Sequence, residues 1–521
     1  MKSELIFTGS RDAELFTKEI SHSLQGAIDH LLDTDPNSPS FGFMQASFDG
    51  RPWTDTMWTR DAGVMLRELS CYGYLDEACI LAECMVNMVI KNAEGFYTFP
   101  EHLDRGKPAC GDELDGTASI VIGMVYLMRR LPDWHPTRQR LELFLCKADS
   151  PVEYAKKKLK DAPLIAGTGE FGGGCGIEGH YVNAVQNALV RAMLLVYGQY
   201  MKENGVPDND TENAAEILRG GLFNHLTDKN GAWIWCVKPD DLQPDEEVLN
   251  HEINAGIAHL NDLTAVLGDV EGLIVSDEEM LERGRATMDK HYSVPRRKFL
   301  FDTYGMWLQF DRYMHAGLTS PSYANGYAIQ AMALTDRVSW LSKCVKYLAE
   351  TTYDNITPVT REDKYWFYER MFASDIIDVQ DTWEGCGALN LVNVAEPLKA
   401  ARLIAGIDCA GINRLVFAPR LPEGWSGIEV RNWILPRRNE LLTVNAEYRR
   451  ISAGETADFC AVDENGNGYS FKADKTFDTV RFGPFKTDKI TVKGGRTVKT
   501  VKTEENLYFV EATTKEAKDA E

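Results

Sequence analysis

The chain has 521 residues, of which 44% are hydrophobic and 10% aromatic, a composition that excludes a largely disordered protein. Its 78 acidic and 56 basic residues give a net charge of −22, and so acidic a surface repels nucleic acid and anionic membranes. The N-terminal residues carry no signal-peptide pattern and the longest apolar run, 120–128, is too short to span a bilayer, which predicts a cytoplasmic protein.

Residues 11–405 are dominated by helical periodicity, with apolar side chains recurring every three or four positions. Within 75–90, for example, Ala78, Leu81 and Met85 follow this spacing. Turns rich in Gly, Pro, Asn and Asp separate the helical stretches. We predict helices over 15–32, 61–72, 75–90, 115–130, 181–200, 212–226, 251–267, 276–289, 303–316, 323–350 and 384–405.

Polar segments marked by Gly or Trp recur through the helical part, and each precedes an apolar helix. The interval of roughly 50–75 residues fits about six helical hairpins, with the polar loops gathered at one end. The nearly continuous apolar run 117–127 indicates an inner helix that is buried on most sides. We therefore predict a closed barrel of inner and outer helices over residues 1–408. The polar segments are 53–61, 111–116, 170–180, 233–252, 321–327 and 380–386.

From residue 409 onward the sequence changes to short β-branched and aromatic stretches separated by turn signals. Examples are ELLTVNAEYRRI (440–451) and VKTEENLYFVEA (501–512). This pattern predicts a C-terminal antiparallel β-sandwich over residues 409–521.

Two glutamates stand where a polar loop meets an apolar helix. Glu178 closes the glycine-rich segment GGGCGIEG, and Glu384 follows Asp381 and Trp383 in DVQDTWEG. A glutamate at a helix start also has an ordinary explanation, because it interacts favourably with the helix dipole. Paired carboxylates beside aromatic residues are nevertheless what glycoside hydrolysis requires. One is protonated to donate to the leaving oxygen, and the other is ionised to activate water.

The segment WTDTMWTRDAG (53–63) places Arg60 beside Asp61 at the start of a helix. Such a pair is often surface decoration, but Trp53 and Trp58 next to it favour a binding site. Aromatic faces stack on sugar rings, and an Arg–Asp pair both donates hydrogen bonds to hydroxyl groups and accepts them. We interpret the segment as a hydroxyl clamp walled by two indole rings.

Further candidates lie at the other hairpin loops. Asp112 and Glu113 fit a solvated loop as well as a sugar contact, whereas Asp115 precedes an apolar helix. Asn183, like His180, could orient Glu178 or cap the helix that follows. Trp233 and Trp235 could wall the cleft or pack in the core. The predicted substrate contacts are Trp53, Trp58, Arg60, Asp61, Asp115, His180, Tyr323, Asn325, Trp383 and Asp381.

These segments resemble two related families. WTRDAG (58–63) resembles the W-x-R-D segment of glucoamylase-type enzymes, LDGTASIVIGM (114–124) resembles their N-D-G-P-A-L helix start, and CGIEGHYVNAVQNALV looks like their W-E-E segment. Ile177 and Gly179 replace the Trp and the second Glu of that last motif. DTWEGCGALNL, IAGIDCAG and FAPRLPEGW resemble the T-x-W-E, G-I and P-x-L-P segments of α-L-rhamnosidases.

The resemblance spans about residues 50–430 and implies a mainly α fold, an (α/α)6 six-hairpin barrel followed by a β-sandwich. It implies an exo-acting, inverting glycoside hydrolase with Glu178 as general acid and Glu384 as general base, acting on a carbohydrate substrate. No metal or organic cofactor is expected. The sugar and the oligomeric state are not indicated. A sugar phosphorylase, lyase or epimerase on the same barrel remains an alternative, as does a non-catalytic carbohydrate-binding protein.

Overall fold

The computed structural model describes residues 2–48, 53–104, 106–167, 182–244, 277–307, 320–354, 364–369, 387–408, 415–437 and 440–513. These residues contain thirteen α-helices. The helices are α1 (Arg11–Leu31), α2 (Thr59–Cys71), α3 (Leu75–Asn87), α4 (Leu114–Met128), α5 (Pro136–Leu145), α6 (Pro151–Lys158), α7 (Ala184–Glu203), α8 (Asn209–His225), α9 (Glu278–Tyr292), α10 (Pro295–Tyr304), α11 (Ser322–Leu334), α12 (Val338–Tyr353) and α13 (Leu391–Ala405).

Local signals explain where several helices begin and end. The Ser10 side chain accepts a hydrogen bond from the backbone N–H of Ala13 at the start of α1. Asn183 caps α7 in the same way through the N–H groups of Val185 and Gln186. At the C-terminus of α10, Gly305 adopts a φ of 79°, a conformation that glycine reaches without steric cost.

Five helices surround a common axis. α2 packs against α4, α4 against α7, α11 against α13, and α13 closes back onto α2. α1, α3, α5, α8 and α12 pack outside this ring. The stretch between α7 and α11 includes 245–276 and 308–319, which lie outside the described residues. The prediction of inner and outer helices is therefore confirmed for the part of the chain that the structure describes.

The helices differ from the prediction in several places: α5 and α6 were not predicted, and α13 begins at Leu391 and not at residue 384. The predicted helix 323–350 is two helices, because the chain reverses at Asp336, whose φ is 58°. α10 begins at Pro295 and ends at Tyr304, whereas a helix was predicted over 303–316, most of which lies outside the described residues. The helical spacing of apolar residues continues across the turn at Asp336, which is why the periodicity alone did not reveal it.

Eighteen strands lie in the described residues. They are β1 (Glu4–Thr8), β2 (Thr56–Trp58), β3 (Ile90–Lys91), β4 (Tyr97–Thr98), β5 (Pro100–Asp104), β6 (Lys107–Asp112), β7 (Val182–Asn183), β8 (Cys236–Val237), β9 (Ile407–Asp408), β10 (Val416–Phe417), β11 (Gly427–Arg437), β12 (Glu440–Ile451), β13 (Cys460–Asp463), β14 (Gly468–Ala473), β15 (Thr479–Phe485), β16 (Ile490–Lys493), β17 (Arg496–Lys502) and β18 (Tyr508–Thr513).

The C-terminal strands form two sheets, with the orders β1-β11-β12-β14-β13-β16 and β17-β18-β15-β10-β9. Phe417 of the second sheet lies 4.8 Å from Phe471 of the first, and Phe482 lies 6.1 Å from Tyr448, measured between ring centroids. The predicted C-terminal antiparallel sheet is confirmed. Two details depart from it, because β10 and β15 are parallel and the N-terminal strand β1 pairs with β11.

A buried ion cluster joins the barrel to the sheets. Asp336, in the turn between α11 and α12, accepts two hydrogen bonds from Arg481 of β15, at 2.8 and 2.7 Å. Arg420 donates a further one at 3.3 Å. At a second contact between barrel and sheets, the indole of Trp425 donates to Asp12 of α1 at 2.7 Å.

Across the described residues, no helix combines the length and the apolar character that a membrane crossing requires.

Candidate active site

A three-stranded sheet, with the order β2-β5-β6, stands at the start of the inner helix α2. Thr59, the first residue of α2, donates from its hydroxyl to the carbonyl of Pro100 at 2.6 Å and so ties the helix to β5. Trp58 pairs with His102 across the sheet, with 4.7 Å between the ring centroids. Trp53 lies 5.5 Å from Trp58 and is 46% exposed. The two predicted indoles thus form an aromatic wall beside α2.

Arg60 and Asp61 occupy the first turn of α2 and are buried. The Arg60 Nε lies 3.3 Å from Asp61 Oδ1, and its Nη1 lies 3.6 Å from Glu113 Oε1, at the start of α4. These side chains are only 9%, 4% and 1% exposed, respectively. Arg60 and Asp61 are therefore not an ordinary surface ion pair, because the side chains of a surface pair stay in contact with water.

For Glu113, as for Asp112, the sequence was compatible with a sugar contact and with a solvated loop. Its burial excludes a solvated loop, and its contact with Arg60 places it in the same cluster. Close packing explains why glycine follows at position 116. A Cβ there would stand 2.3 Å from Thr59 Oγ1 and 2.7 Å from Glu113 Oε2. Asp115, completely buried beside it, accepts a hydrogen bond from the N–H of Gly116 at 2.8 Å.

A small cavity of about 20 Å³, room for one water molecule, lies on the barrel axis below this cluster. Arg60 lines it from above, and Arg67 and Lys399 line it from deeper in the barrel. The sixth residue of each of the five inner helices also lines it, which shows that all five helices begin at the same end of the barrel. These residues are Val64, Ser119, Leu189, Tyr327 and Glu396.

The floor of this cavity is a network of buried charges. Arg67 Nε lies 3.0 Å from Glu68 Oε1, and the same carboxylate receives Arg402 Nη2 at 2.9 Å. Gln330 donates to Glu396 at 2.7 Å. Burial raises the pKa of Glu396, and nearby Lys399 and Arg67 oppose that shift. Sequence reasoning missed this network, although LVNVAEPLKAARLIA carries three charges spaced three residues apart in an apolar helix.

The candidates on α11 have different surroundings. Tyr323 is half-buried, and its ring centroid lies 5.8 Å from that of Tyr327, which lines the axial cavity. The Asn325 amide donates to the Ser320 hydroxyl at 2.5 Å and to the Pro321 carbonyl at 3.0 Å. Asn325 therefore has a structural contact, and its binding of substrate stays a prediction.

The structure bears on two of the alternatives that the sequence left open, although whether Asn183 also orients Glu178 stays a prediction. Asn183 caps α7, accepting hydrogen bonds from Val185 and Gln186 at 2.8 and 3.1 Å. Trp233 is completely buried and stacks on Phe223 of the outer helix α8 at 5.7 Å, so it packs in the core.

Five predicted site residues lie outside the described residues. They are Glu178, His180, Asp381, Trp383 and Glu384. The described chain resumes at Val182 and at Gly387, just before the inner helices α7 and α13, respectively. The roles of these five residues stay predictions.

Neither a protein-family model nor a curated protein matches the sequence significantly. Solved structures do match. Glucoamylase from Saccharomycopsis fibuligera aligns with a TM-score of 0.55 and 12% identity over 76% of this chain and 96% of its own. A GH78 family rhamnosidase of Bacillus sp. GL1 aligns with a TM-score of 0.53 and 12% identity, over 87% of this chain but 41% of that one. The chain therefore shares the six-hairpin (α/α)6-barrel fold of these two enzymes.

Proposed function

We propose that the chain is an exo-acting, inverting glycoside hydrolase that releases a terminal sugar, of the α-glucoside or α-L-rhamnoside type, from an oligosaccharide or small glycoside. The observation that carries the proposal is the buried cluster of Arg60, Asp61 and Glu113 at the mouth of the barrel. Beside it, Trp58 and Trp53 offer aromatic faces. Hydroxyl groups need both donors and acceptors, and sugar rings stack on indoles.

In the proposed mechanism, Glu178 protonates the glycosidic oxygen while Glu384 activates a water molecule on the opposite face of the sugar ring. An inverting enzyme leaves room for that water, so the two carboxyl groups should stand about 6.5–9.5 Å apart. Arg60 and Asp61 hold the hydroxyl groups of the terminal sugar. The fold shared with a glucoamylase and a rhamnosidase supports this assignment without deciding between their sugars.

We further propose that residues 1–408 form the catalytic domain and that residues 409–521 form a β-sandwich joined by strand β1. The aromatic contacts between the two C-terminal sheets support the sandwich. A cytoplasmic location for the whole chain stays a prediction from the sequence.

A hydrolysis screen tests the function. Wild type, Glu178→Gln and Glu384→Gln are assayed with aryl glycosides and oligosaccharides of glucose, rhamnose, galactose, mannose and uronic acids, with and without phosphate. We expect cleavage of one sugar class and a loss of about 10²–10⁴-fold or more in kcat for either variant. Proton NMR in the first minutes should show the inverted anomer. Glu216→Gln, on the exposed face of α8, is the matched control and should act like wild type.

Other outcomes would replace the proposal. Phosphate-dependent cleavage that survives Glu384→Gln would indicate a phosphorylase, and an unsaturated product would indicate a lyase. A rearranged sugar without cleavage would indicate an epimerase. Sugar binding without any turnover would indicate a carbohydrate-binding protein.

A further inference from the structure

Gln186, the third residue of α7, has a side chain that is completely buried. Within the described residues, neither its Nε2 nor its Oε1 has a hydrogen-bond partner. Burying an amide without partners is unfavourable, because its donors and its acceptor lose their hydrogen bonds to water. Folded proteins contain few such groups, and each one calls for a specific explanation.

The next residue shows what a structural amide looks like at this place in the fold. Asn187 donates to the carbonyls of Ile165 and Asn183 at 3.0 and 2.8 Å, and accepts from the N–H of Ile165 at 2.8 Å. Every polar atom of its amide is used to join α7 to the preceding loop. Gln186 makes none of these contacts, so holding the fold together does not account for it.

The position of Gln186 points to the sugar site. Residues three apart lie on the same side of a helix, and Leu189 lines the axial cavity together with Arg60 and Ser119. Gln186 lies one turn closer to the barrel mouth than Leu189. The hydroxyl of Ser119 is also buried and, within the described residues, also lacks a partner. Arg60, Ser119 and Gln186 therefore all lie in the first two turns of their helices, at the mouth end of the barrel.

The chemistry of an amide restricts what it can recognise. A carboxamide donates through its nitrogen and accepts through its oxygen, which matches two adjacent hydroxyl groups on one ring. Arg60 is already in contact with Asp61 and Glu113, so the cluster offers no excess positive charge to a sugar carboxylate.

We propose that Gln186 hydrogen-bonds two adjacent hydroxyl groups of the terminal sugar, in a site where the acidic partners of Arg60 favour a neutral sugar over a uronic acid. This inference rests on the proposed carbohydrate site at the barrel mouth. It adds to that site a specificity-determining residue and a substrate class.

The test compares Gln186→Met, which keeps the length of the side chain and removes the amide, with wild type. Gln199→Met is the control, since Gln199 is an exposed residue of the same helix and bonds only to Glu203 among the described residues. Thermal unfolding is measured without sugar. Calorimetry then measures the binding of glucose, rhamnose, glucuronic acid and the monodeoxy derivatives of the two neutral sugars to the full chain.

We expect two opposite effects of Gln186→Met. The midpoint of thermal unfolding rises, because a buried amide without partners is gone. Affinity for the neutral sugar falls about tenfold or more, and falls little for the deoxy sugar that lacks the contacted hydroxyl. Wild type binds glucuronic acid weakly or not at all. A residue with a purely structural role would not raise stability and weaken binding together.

Several results would overturn the inference. One is a lower unfolding midpoint with equal losses of affinity for parent and deoxy sugars, and another is unchanged binding by Gln186→Met. Absence of sugar binding to wild type would also overturn it. Failure of the hydrolase proposal can be told apart from failure of this inference. If wild type binds sugars but cleaves no glycoside, hydrolysis is refuted, and the binding measurements on Gln186→Met can still be interpreted.

Discussion

Glu19 of α1 is completely buried and, within the described residues, neither of its carboxyl oxygens has a hydrogen-bond partner. Burial raises its pKa well above 4.5, so the folded chain keeps this group protonated where the unfolded chain ionises it. α1 packs against α12 and α13 from outside the ring of inner helices, and Glu19 does not line the axial cavity. The group therefore affects stability and not binding.

The contribution of Glu19 to stability should consequently fall as the pH rises above about 4.5, by about 1.4 kcal/mol for each pH unit until the folded-state pKa is reached. Glu19→Gln should remove this dependence and be the more stable protein at pH 8. Urea unfolding at pH 5 and pH 8 measures both effects. Glu14→Gln, an exposed residue of the same helix, is the control. Parallel pH profiles for wild type and Glu19→Gln would contradict the assignment.

His291 shows the opposite dependence on pH. Its ring stacks on Trp307 with 4.1 Å between centroids, and burial, aided by the charge of Arg297, lowers its pKa well below 6.5. Below pH 6.5 the unfolded chain gains a proton here and the folded chain does not, so stability falls as the solution is acidified.

His291→Phe should keep the stack and lose the acid sensitivity. We expect its unfolding midpoint at pH 5 to exceed that of wild type by a few degrees. A stabilisation of about 1 kcal/mol raises the midpoint of a large domain by that amount. At pH 8 the two should differ little. Thermal scans from pH 5 to pH 8 measure the unfolding midpoints of both proteins. His225→Phe, at the end of α8, is the control. A stabilisation of equal size at both pH values would point to packing instead.

At the scale of elements, the packing of α2 on α4 positions the proposed site. An added Cβ at Gly63 would stand 2.4 Å from the backbone carbon of Ser119, so the two helices touch through glycine. Arg60 lies in the first turn of α2 and Glu113 directly precedes α4, and their contact of 3.6 Å depends on this approach. A wider spacing of the helices would separate the two charges.

Gly63→Ala should therefore lower the free energy of unfolding by about 1–3 kcal/mol, as overpacked cores do, and weaken sugar binding as well. Gly220→Ala is the matched control. Gly220 lies inside α8 with nothing within 4 Å of the added Cβ, so alanine should stabilise the helix by about 0.5–1 kcal/mol. Chemical denaturation of both variants measures the contrast. Equal stability of Gly63→Ala and wild type would show that the helices separate without strain.

At the scale of the whole molecule, Asp336 connects the barrel with the sheets through Arg420 and Arg481. Burial alone would raise the pKa of Asp336, but the two guanidinium groups outweigh it and lower the pKa. Burial also lowers the pKa of Arg420 to about 10. The contribution of Asp336 to stability is present above about pH 3.9 and is lost as the pH falls through its lowered folded-state value.

Asp336→Asn should cost about 3–5 kcal/mol, because it leaves two buried guanidinium groups without their carboxylate. Asparagine tolerates the positive φ at this position, so the backbone is not the cause. Lys489→Ala removes an exposed ion pair with Glu464 and should leave stability almost unchanged, because water screens such a pair. Denaturant titrations of the two variants compare these losses. A small effect of Asp336→Asn would mean that water replaces the carboxylate at this junction.

Much of the fold could be predicted from periodicity. Helical spacing identified the inner helices, and β-branched stretches identified the C-terminal strands, because both signals are local. The turn at Asp336 escaped prediction because apolar spacing continues across it. The pairing of β1 with β11 escaped because partners separated by more than 400 residues leave no local trace.

The candidate site was predictable only where a motif carried it. Arg60 and Asp61 stand in a recognisable segment, and the structure buries both. Glu113 looked like any loop carboxylate until its distance from Arg60 was known. Nothing in the sequence singled out Gln186, since a glutamine in an apolar helix looks like any other polar residue. Only the lack of hydrogen-bond partners for its buried amide, within the described residues, distinguishes it.

The pairing of β1 with β11 also shapes how the chain reaches its native state. The ribosome makes residues 4–8 more than 400 residues before it makes residues 427–431, so this strand leaves the exit tunnel without its partner. During that interval Leu5 and Phe7, which are buried in the finished sheet, face solvent or a chaperone. Closing so long a loop is slow, so the docking of β1 onto β11 should be a late step of folding.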